Sequence, residues 1–204
     1  VWHIEQSYLG SMLSQKAYDT ICHEHIEYYS LKQILYIANK LDLKIIYLTK
    51  TPTNGGSFEV TLAHANSEYT EAKNIADFLA EEQTLKLDDP QTYLDFKNEI
   101  DRLKDELLVM LSSLPKKPWG FGASTKGNVL LQYCGLGPEN IEAFFDINPN
   151  KEGCVTPGTN IPITTTSPPD DVIYLVLPWH FKDDILSRYP NGKFIFPLPE
   201  VVKI

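Results

Sequence analysis

The sequence predicts an α/β protein whose C-terminal part is an open sheet of mainly parallel strands, and three observations carry that prediction. Within 115–204, short apolar runs alternate with stretches of helical period, and strands that alternate with helices pair in parallel through crossovers. The stretch before it, 71–114, is nearly free of Gly and Pro and dense in Leu, Ala, Glu and Lys, which is helical composition. Ahead of both, 31–63 reads as helix, strand, turn and antiparallel strand. A chain of 204 residues suffices for one large domain or two small ones, each with a real core.

Each element has its own justification. Leu31, Ile34, Leu35, Ala38 and Leu41 fall on one face at helical spacing, behind Ser30 as an N-cap. A strand follows over 44–48, a turn at Asn54-Gly55-Gly56, and a second strand over 57–63, where Phe58, Val60 and Leu62 alternate with polar residues. Two helices over 71–114 break near Asp88-Asp89-Pro90, with Pro90 opening the second; Ile100, Leu103, Leu107, Leu108 and Leu111 form its packing stripe. Past Pro115-Lys116-Lys117-Pro118 come a strand over 119–123, a helix over 127–133 and a strand over 141–146. A buried strand over 172–177, a helix over 181–189 and a strand over 193–196 complete the set.

Composition excludes several classes of function. Lys plus Arg number 18 against 27 Asp plus Glu, and the net charge of −9 argues against a nucleic-acid partner. The longest apolar run, 172–177, is far too short to span a bilayer, so no membrane role is expected. Cys22, Cys134 and Cys154 are too few and too scattered for a disulfide framework, which favours a reducing, cytoplasmic setting. Val1-Trp2-His3-Ile4-Glu5 holds no initiator Met and no signal segment, so the chain is expected to begin inside a longer one.

Four stretches could carry chemistry. Cys22-His23-Glu24-His25, flanked by Asp19, Tyr28 and Tyr29, offers imidazoles with a carboxylate between them, the parts of a general base and its orienter. On an extended segment His23 and His25 would share a face and Glu24 would oppose them. A metal-dependent hydrolase using His23 and His25 is a rival, but further ligands at recognisable spacing are missing, so no metal is assigned. A surface or capping segment is the bland alternative.

The second stretch, Gly122-Ala123-Ser124-Thr125-Lys126-Gly127-Asn128, lies between a strand and a helix, where backbone N–H groups, hydroxyls and an ammonium can cradle an anion. It matches neither the P-loop nor the dinucleotide glycine pattern, and a plain βα turn is the alternative. The Lys126 side chain is expected at the solvent-facing mouth of the loop. Asn54-Gly55-Gly56-Ser57 reads first as a hairpin turn. Trp179 and His180 follow a buried strand, where ligands of open α/β sheets collect; packing at the start of a helix is the alternative.

Taken together and in order, the stretch 18–30 (Tyr18 to Ser30), Asn54 to Phe58, Gly122 to Asn128, Pro157-Gly158-Thr159 and Leu177-Pro178-Trp179-His180-Phe181 resemble the S-adenosylmethionine-dependent C-methyltransferases of nucleotide-linked keto-deoxyhexoses. The resemblance implies that 1–66 is the tail of a class I methyltransferase sheet, 67–114 a helical connector, and 115–204 a Rossmann-like C-methyltransferase C-terminal domain. It implies a base that removes a proton alpha to the sugar ketone, giving an enolate whose carbon takes the methyl group. His25 falls on the base, Glu24 on the residue that assists it, and Cys22 where the better-known members carry Tyr. It further implies contacts to a nucleotide-diphosphate sugar from Asn54, Ser57, Ser124, Lys126, Asn128, Trp179 and His180. The C-terminal part departs from the family at Ile147 and Glu152, where members show Arg and Trp. No acidic-Gly-x-Gly-x-Gly loop is present, so the site for S-adenosyl-L-methionine is expected largely outside this chain, which by itself should be inactive. A non-catalytic nucleotide-sugar-binding module is the rival reading. A truncated donor sheet would also leave an open edge, so self-association of the isolated chain is expected.

Overall fold

The computed structural model, which describes residues 1–168 and 171–204, opens with a strand that the pattern of the sequence does not announce, β1 (Trp2–Ser7). Its residues are mostly polar, and tertiary pairing makes it a strand. Helices α1 (Leu9–Ser14) and α2 (Leu31–Lys40) follow, then β2 (Leu43–Thr51), β3 (Ser57–His64), α3 (Ile75–Thr84) and α4 (Pro90–Ser112). The strands form a sheet of order β1-β3-β2 in which β3 runs antiparallel to both neighbours.

Two compact units make up the chain. The first comprises Val1–Ala17 with His25–Lys97, the second Tyr18–Glu24 with Asn98–Ile204, so the division falls inside α4. In the first unit the apolar face of α2 (Leu31, Ile34, Ala38) packs with Ile45, Leu48, Phe58, Val60 and Leu62 of the sheet. The outer face of α2 is polar, as its helical period requires. Phe78 of α3 joins that core, with Ile75 and Leu79 half-buried beside it. Buried Glu82 of α3 reaches the N-terminus of α2, accepting the Leu31 N–H at 2.6 Å, the Lys32 N–H at 3.3 Å and the Tyr8 hydroxyl at 3.1 Å. A carboxylate at a helix N-terminus meets donors that the helix cannot satisfy itself. Ser30 is the N-cap of α2 and its own N–H donates to Gln33 at 2.9 Å, the reciprocal half of a capping box.

The second unit is Rossmann-like. Beyond α4 it contains β4 (Trp119–Phe121), α5 (Thr125–Cys134), β5 (Phe144–Phe145), β6 (Ile163–Thr164), β7 (Ile173–Val176), α6 (Lys182–Arg188), β8 (Lys193–Phe196) and β9 (Val202–Lys203). The sheet order is β6-β5-β4-β7-β8-β9, parallel throughout except for the antiparallel edge strand β9. The chain builds outward from β4 to β5 and β6, then crosses to the other side of β4 for β7 and β8. That reversal makes the β4–β7 boundary a topological switch point, where ligands of open α/β sheets collect beyond the carboxyl ends of the strands.

The strand expected over 141–146 shrinks to Phe144–Phe145, because a turn holds Asn140 and Ile141 through N–H bonds to Gly137. Helix α6 is likewise shorter than expected, since Trp179–Phe181 forms a 3₁₀ turn ahead of it. The short strands β6 and β9 carry no detectable alternation in two residues each and are made by pairing alone.

Candidate functional site

Three connections leave the carboxyl ends of neighbouring strands in the second unit, and they carry most of the predicted binding residues. After β4 the chain turns at Gly122, whose φ of +75° suits glycine and whose Cβ, if present, would stand 2.9 Å from Pro178. Ser124 then caps α5, its Oγ accepting the Gly127 N–H at 3.1 Å. That bond uses one of its two acceptor lone pairs, and the hydroxyl hydrogen and the second lone pair are left for a ligand. Gly127 lies so close to Leu177 that a Cβ would meet its Cδ1 at 2.3 Å, which seats the first turn of α5 on the end of β7.

The Tyr18–Thr20 3₁₀ turn packs against α5. Asp19, 1% exposed, accepts the Trp179 indole N–H at Oδ2 over 2.8 Å. Its other oxygen, Oδ1, is buried without a hydrogen-bond partner among the described residues. Burial pushes the Asp19 carboxyl up, against the lowering effect of the Trp179 N–H and the Lys126 cation. Burial pushes the Lys126 ammonium down, opposed by Asp19 and Cys22. The solvent-facing position expected for Lys126 is thus corrected: the side chain is half-buried and coupled to a buried carboxylate. Its charge is in part already matched, which weakens the loop as a simple anion cradle.

His180 completes this cluster. Burial, and after it the Lys126 cation, push its imidazole down to about 4, so it is neutral at neutral pH. Its Nδ1 and the Asn128 Oδ1 are also buried without hydrogen-bond partners among the described residues. The fold therefore gathers Asp19, Cys22, Lys126, Trp179 and His180 from three separate stretches, and the unmet Asp19 Oδ1, Asn128 Oδ1 and His180 Nδ1 can bond to a polar ligand.

Beyond the ends of β4, β5 and β7 lies a crevice of about 400 Å³. Gly122, Ser124 and Pro178 form part of its wall, so α5 has the Lys126 cluster and this crevice at the same end. Asp146 closes β5 and borders it. Its Oδ2 accepts the Ala123 N–H at 2.9 Å and the Lys151 ammonium at 2.7 Å, and its Oδ1 the Asn148 N–H at 2.9 Å. Burial raises the Asp146 carboxyl, but Lys151 and these N–H groups outweigh it and hold it below the usual range.

Cys22 is half-buried, whereas His23 and Glu24 are exposed, with His23 Nε2 3.9 Å from Glu24 Oε1. A bend at Cys22 and a turn at His23-Glu24 replace the extended segment considered above, so alternation of His23 and His25 about Glu24 does not hold. His25, half-buried, begins the return of the chain into the first unit. Among the described residues no three His, Cys, Asp or Glu side chains form a group able to hold a metal ion.

In the first unit Asn54 sits exposed in a 3₁₀ turn, with a left-handed φ of 54° that Asn tolerates. Ser57 is buried at the start of β3 and its hydroxyl donates to the Thr53 carbonyl at 3.0 Å, which closes the hairpin. Asp146 and Lys151 escape the sequence reading, and Asp19 is noticed there only as a flank. An acidic residue closing the second strand of a βαβ unit is a usable signal for Asp146. No local signal marks Asp19, whose role depends on Trp179.

With this geometry in hand, the comparisons with known proteins are specific. The model of the C-methyltransferase C-terminal domain matches residues 52–199. C-methyltransferase NovU of Streptomyces niveus is 30% identical over 213 aligned residues, which cover 98% of this chain and 50% of NovU. The chain thus spans about half the length of that curated relative. With the family match running across the Rossmann-like sheet and its clustered loops, the chain belongs to the family defined by the C-methyltransferase C-terminal domain.

Proposed function

We propose that this chain contributes the proton-abstracting segment and the substrate-holding loops of a C-methyltransferase that acts on a nucleotide-linked keto-deoxysugar. The observation that carries the reading is the convergence on α5: the Trp179–Asp19 bond of 2.8 Å joins the Tyr18–Glu24 segment to the 178–181 turn beside Lys126. Those are the stretches in which the resemblance lies, and the first of them runs directly into His25.

In this reading His25 takes a proton from the carbon next to the sugar ketone. The C–H electron pair moves into the carbonyl, leaving an enolate, and Glu24 assists the imidazole. General-base catalysis is worth ~10²–10⁴ in rate, so positioning and stabilisation of the enolate charge must supply the rest. Cys22 offers a thiol where a hydroxyl role would otherwise fall. Ser124, Lys126, Asn128, Trp179 and His180 are the substrate contacts proposed in the second unit, and Asn54 and Ser57 those proposed in the first.

S-adenosyl-L-methionine is the methyl donor of this proposal, and the strand ends of the first unit do not fit it. The end of β1 passes through Tyr8 directly into α1, and the end of β2 passes into the hairpin turn. Neither supplies a glycine-rich strand-to-helix turn followed by an acidic ribose ligand. In this reading the donor site lies largely outside this chain. A reducing, cytoplasmic setting accords with free Cys22, Cys134 and Cys154; no described helix is long and apolar enough to cross a membrane.

The test is His25→Ala in the full-length protein. Turnover is expected to fall at least a hundredfold while nucleotide-sugar affinity, read by calorimetry, changes little. Unchanged turnover would remove His25 as the base. Lys126→Ala should in contrast weaken nucleotide-sugar binding by roughly ten- to a hundredfold, the range of a charge-assisted hydrogen bond.

A further inference from the structure

Between Ala17 and His25 the chain leaves the first unit and belongs to the second, and its burial changes abruptly along that run. Tyr18, Asp19 and Thr20 are 3%, 1% and 3% exposed, whereas Ile21, His23 and Glu24 face solvent and Cys22 is half-buried. Beyond the Tyr18–Thr20 turn the run has no helix or strand of its own, so side-chain anchors set where it lies. Two anchors do so. The Tyr18 ring packs on Tyr133 with centroids 5.2 Å apart, and its hydroxyl stands 3.5 Å from Cys134 Sγ. Apolar packing of that kind is non-directional and fixes depth more than orientation. Asp19 supplies the direction, since its Oδ2 accepts the Trp179 indole N–H, a donor with one line of approach. Trp179 is itself 5% exposed at the end of β7, where its backbone N–H donates to the Leu177 carbonyl at 2.9 Å. The backbone carries the anchored orientation onward: the Ile21 N–H donates to the Tyr18 carbonyl and the Cys22 N–H to the Thr20 carbonyl, each at 2.9 Å.

We propose that Asp19 is a positioning residue, whose hydrogen bond to Trp179 fixes the orientation of the Cys22-His23-Glu24 run that leads directly into the proposed base. The inference rests on the reading of Glu24 and His25 given above and adds to it the group that holds their segment. A carboxylate is a costly way to hold one N–H in the interior, because an amide or a backbone carbonyl accepts the same bond without burying a charge. The Lys126 cation offsets part of that cost. What the charge adds is strength: a charge-assisted bond is roughly twice as strong as a neutral one, which matters where an irregular run must keep one orientation. The effect passes through the backbone of 19–24 and needs no contact between Asp19 and the reacting atoms. Misplacing a catalytic group by about 1 Å is enough to lower a rate on the order of a hundredfold.

The experiment is a double-mutant cycle in the full-length protein, at a temperature where denaturant curves show each variant folded, with kcat and KM read on a nucleotide-linked keto-deoxysugar. Asp19→Ala should lower kcat by roughly ten- to a hundredfold while KM changes less than about threefold. In a His25→Ala background the same substitution should cost less than about threefold, because a group that acts through the base has nothing left to orient. Asp19→Asn, whose amide oxygen still accepts the indole N–H, should recover most of the loss. Should Asp19→Ala not fold, Trp179→Phe removes the other half of the bond and carries the same cycle. A full loss that persists in the His25→Ala background, or a wild-type kcat in the folded Asp19→Ala protein, overturns the proposal and leaves His25 as the base. Amide relaxation by NMR on the 204-residue chain gives a readout that needs no substrate. The Ile21 and Cys22 amides should have order parameters near ~0.85 in the wild type and below ~0.6 in Asp19→Ala, and equal values in the two proteins overturn the proposal as well. If the wild-type full-length protein turns over no such sugar, or His25→Ala leaves turnover unchanged, the reading of the base falls, and the relaxation data alone decide whether Asp19 holds the run.

Discussion

Asp19 and Trp179 are 160 positions apart in sequence and 2.8 Å apart in space, and their bond decides what the surrounding charges can do. Replacing Trp179 with Phe keeps an aromatic ring but removes the N–H. The Asp19 carboxylate should then rise further, and stability should fall by about 1–3 kcal/mol, the cost of leaving a buried acceptor unmet; a denaturant midpoint checks it. His180 provides a spectroscopic reading of the same cluster. Its imidazole should titrate in NMR with a midpoint of about 4. The imidazole charges more readily in the unfolded chain, near the ordinary value of ~6.5, so this residue's contribution favours the fold above that pH and is lost as pH drops towards 4. Lys126→Met removes a cation and should raise the His180 midpoint. A midpoint that stays put would show that burial alone sets it.

Glu82 adds a polar tie to the apolar packing of α3 on α2, meeting two backbone N–H groups of α2 and the Tyr8 hydroxyl. Glu82→Ala strips the N-terminus of α2 of its carboxylate partner and leaves the Tyr8 hydroxyl buried. A loss on the order of 2–3 kcal/mol is expected in chemical unfolding, and Glu82→Gln should recover part of it because the amide oxygen still accepts. The equivalent device in the second unit is Asp146, which ties the ends of β4 and β5 through Ala123, Asn148 and Lys151. Its carboxyl is held below the usual range, so the stability it contributes is present above the ordinary ~3.9 and is lost as pH falls through the lower native value. Asp146→Asn should therefore weaken the fold most at neutral pH and least in strong acid.

The whole chain matches half of its curated relative, and the proposal assigns the donor site largely to parts outside this chain. Calorimetry of the isolated 204-residue chain should accordingly show no binding of S-adenosyl-L-methionine; micromolar affinity would overturn that placement. In the first unit, β1 and β2 are the outer strands of a three-stranded sheet, and Trp2 on β1 is 48% exposed. An unpaired strand edge with an aromatic side chain is a template for another strand. The isolated chain should self-associate, with sedimentation shifting to larger species as concentration rises; a clean monomer at high concentration would count against it.

Element type was legible wherever burial imposed a period. The stripe of α2, the alternation of β3 and the strand–helix order of the second unit follow from which faces are apolar, and the Pro90 start of α4 from proline's fixed φ and missing N–H. The quoted motifs likewise sufficed to point to the family. Pairing alone made β1, β6 and β9, because hydrogen-bonding partners supplied by distant segments outweigh weak local preference. The protonation of the candidate site was equally beyond reach. Lys126 reads in sequence as a free cation on a loop, and only folding sets it into a half-buried place opposite Asp19 and next to a neutral His180. Desolvation and charge pairing act over a few ångströms in space, across separations of more than a hundred residues that no local pattern encodes.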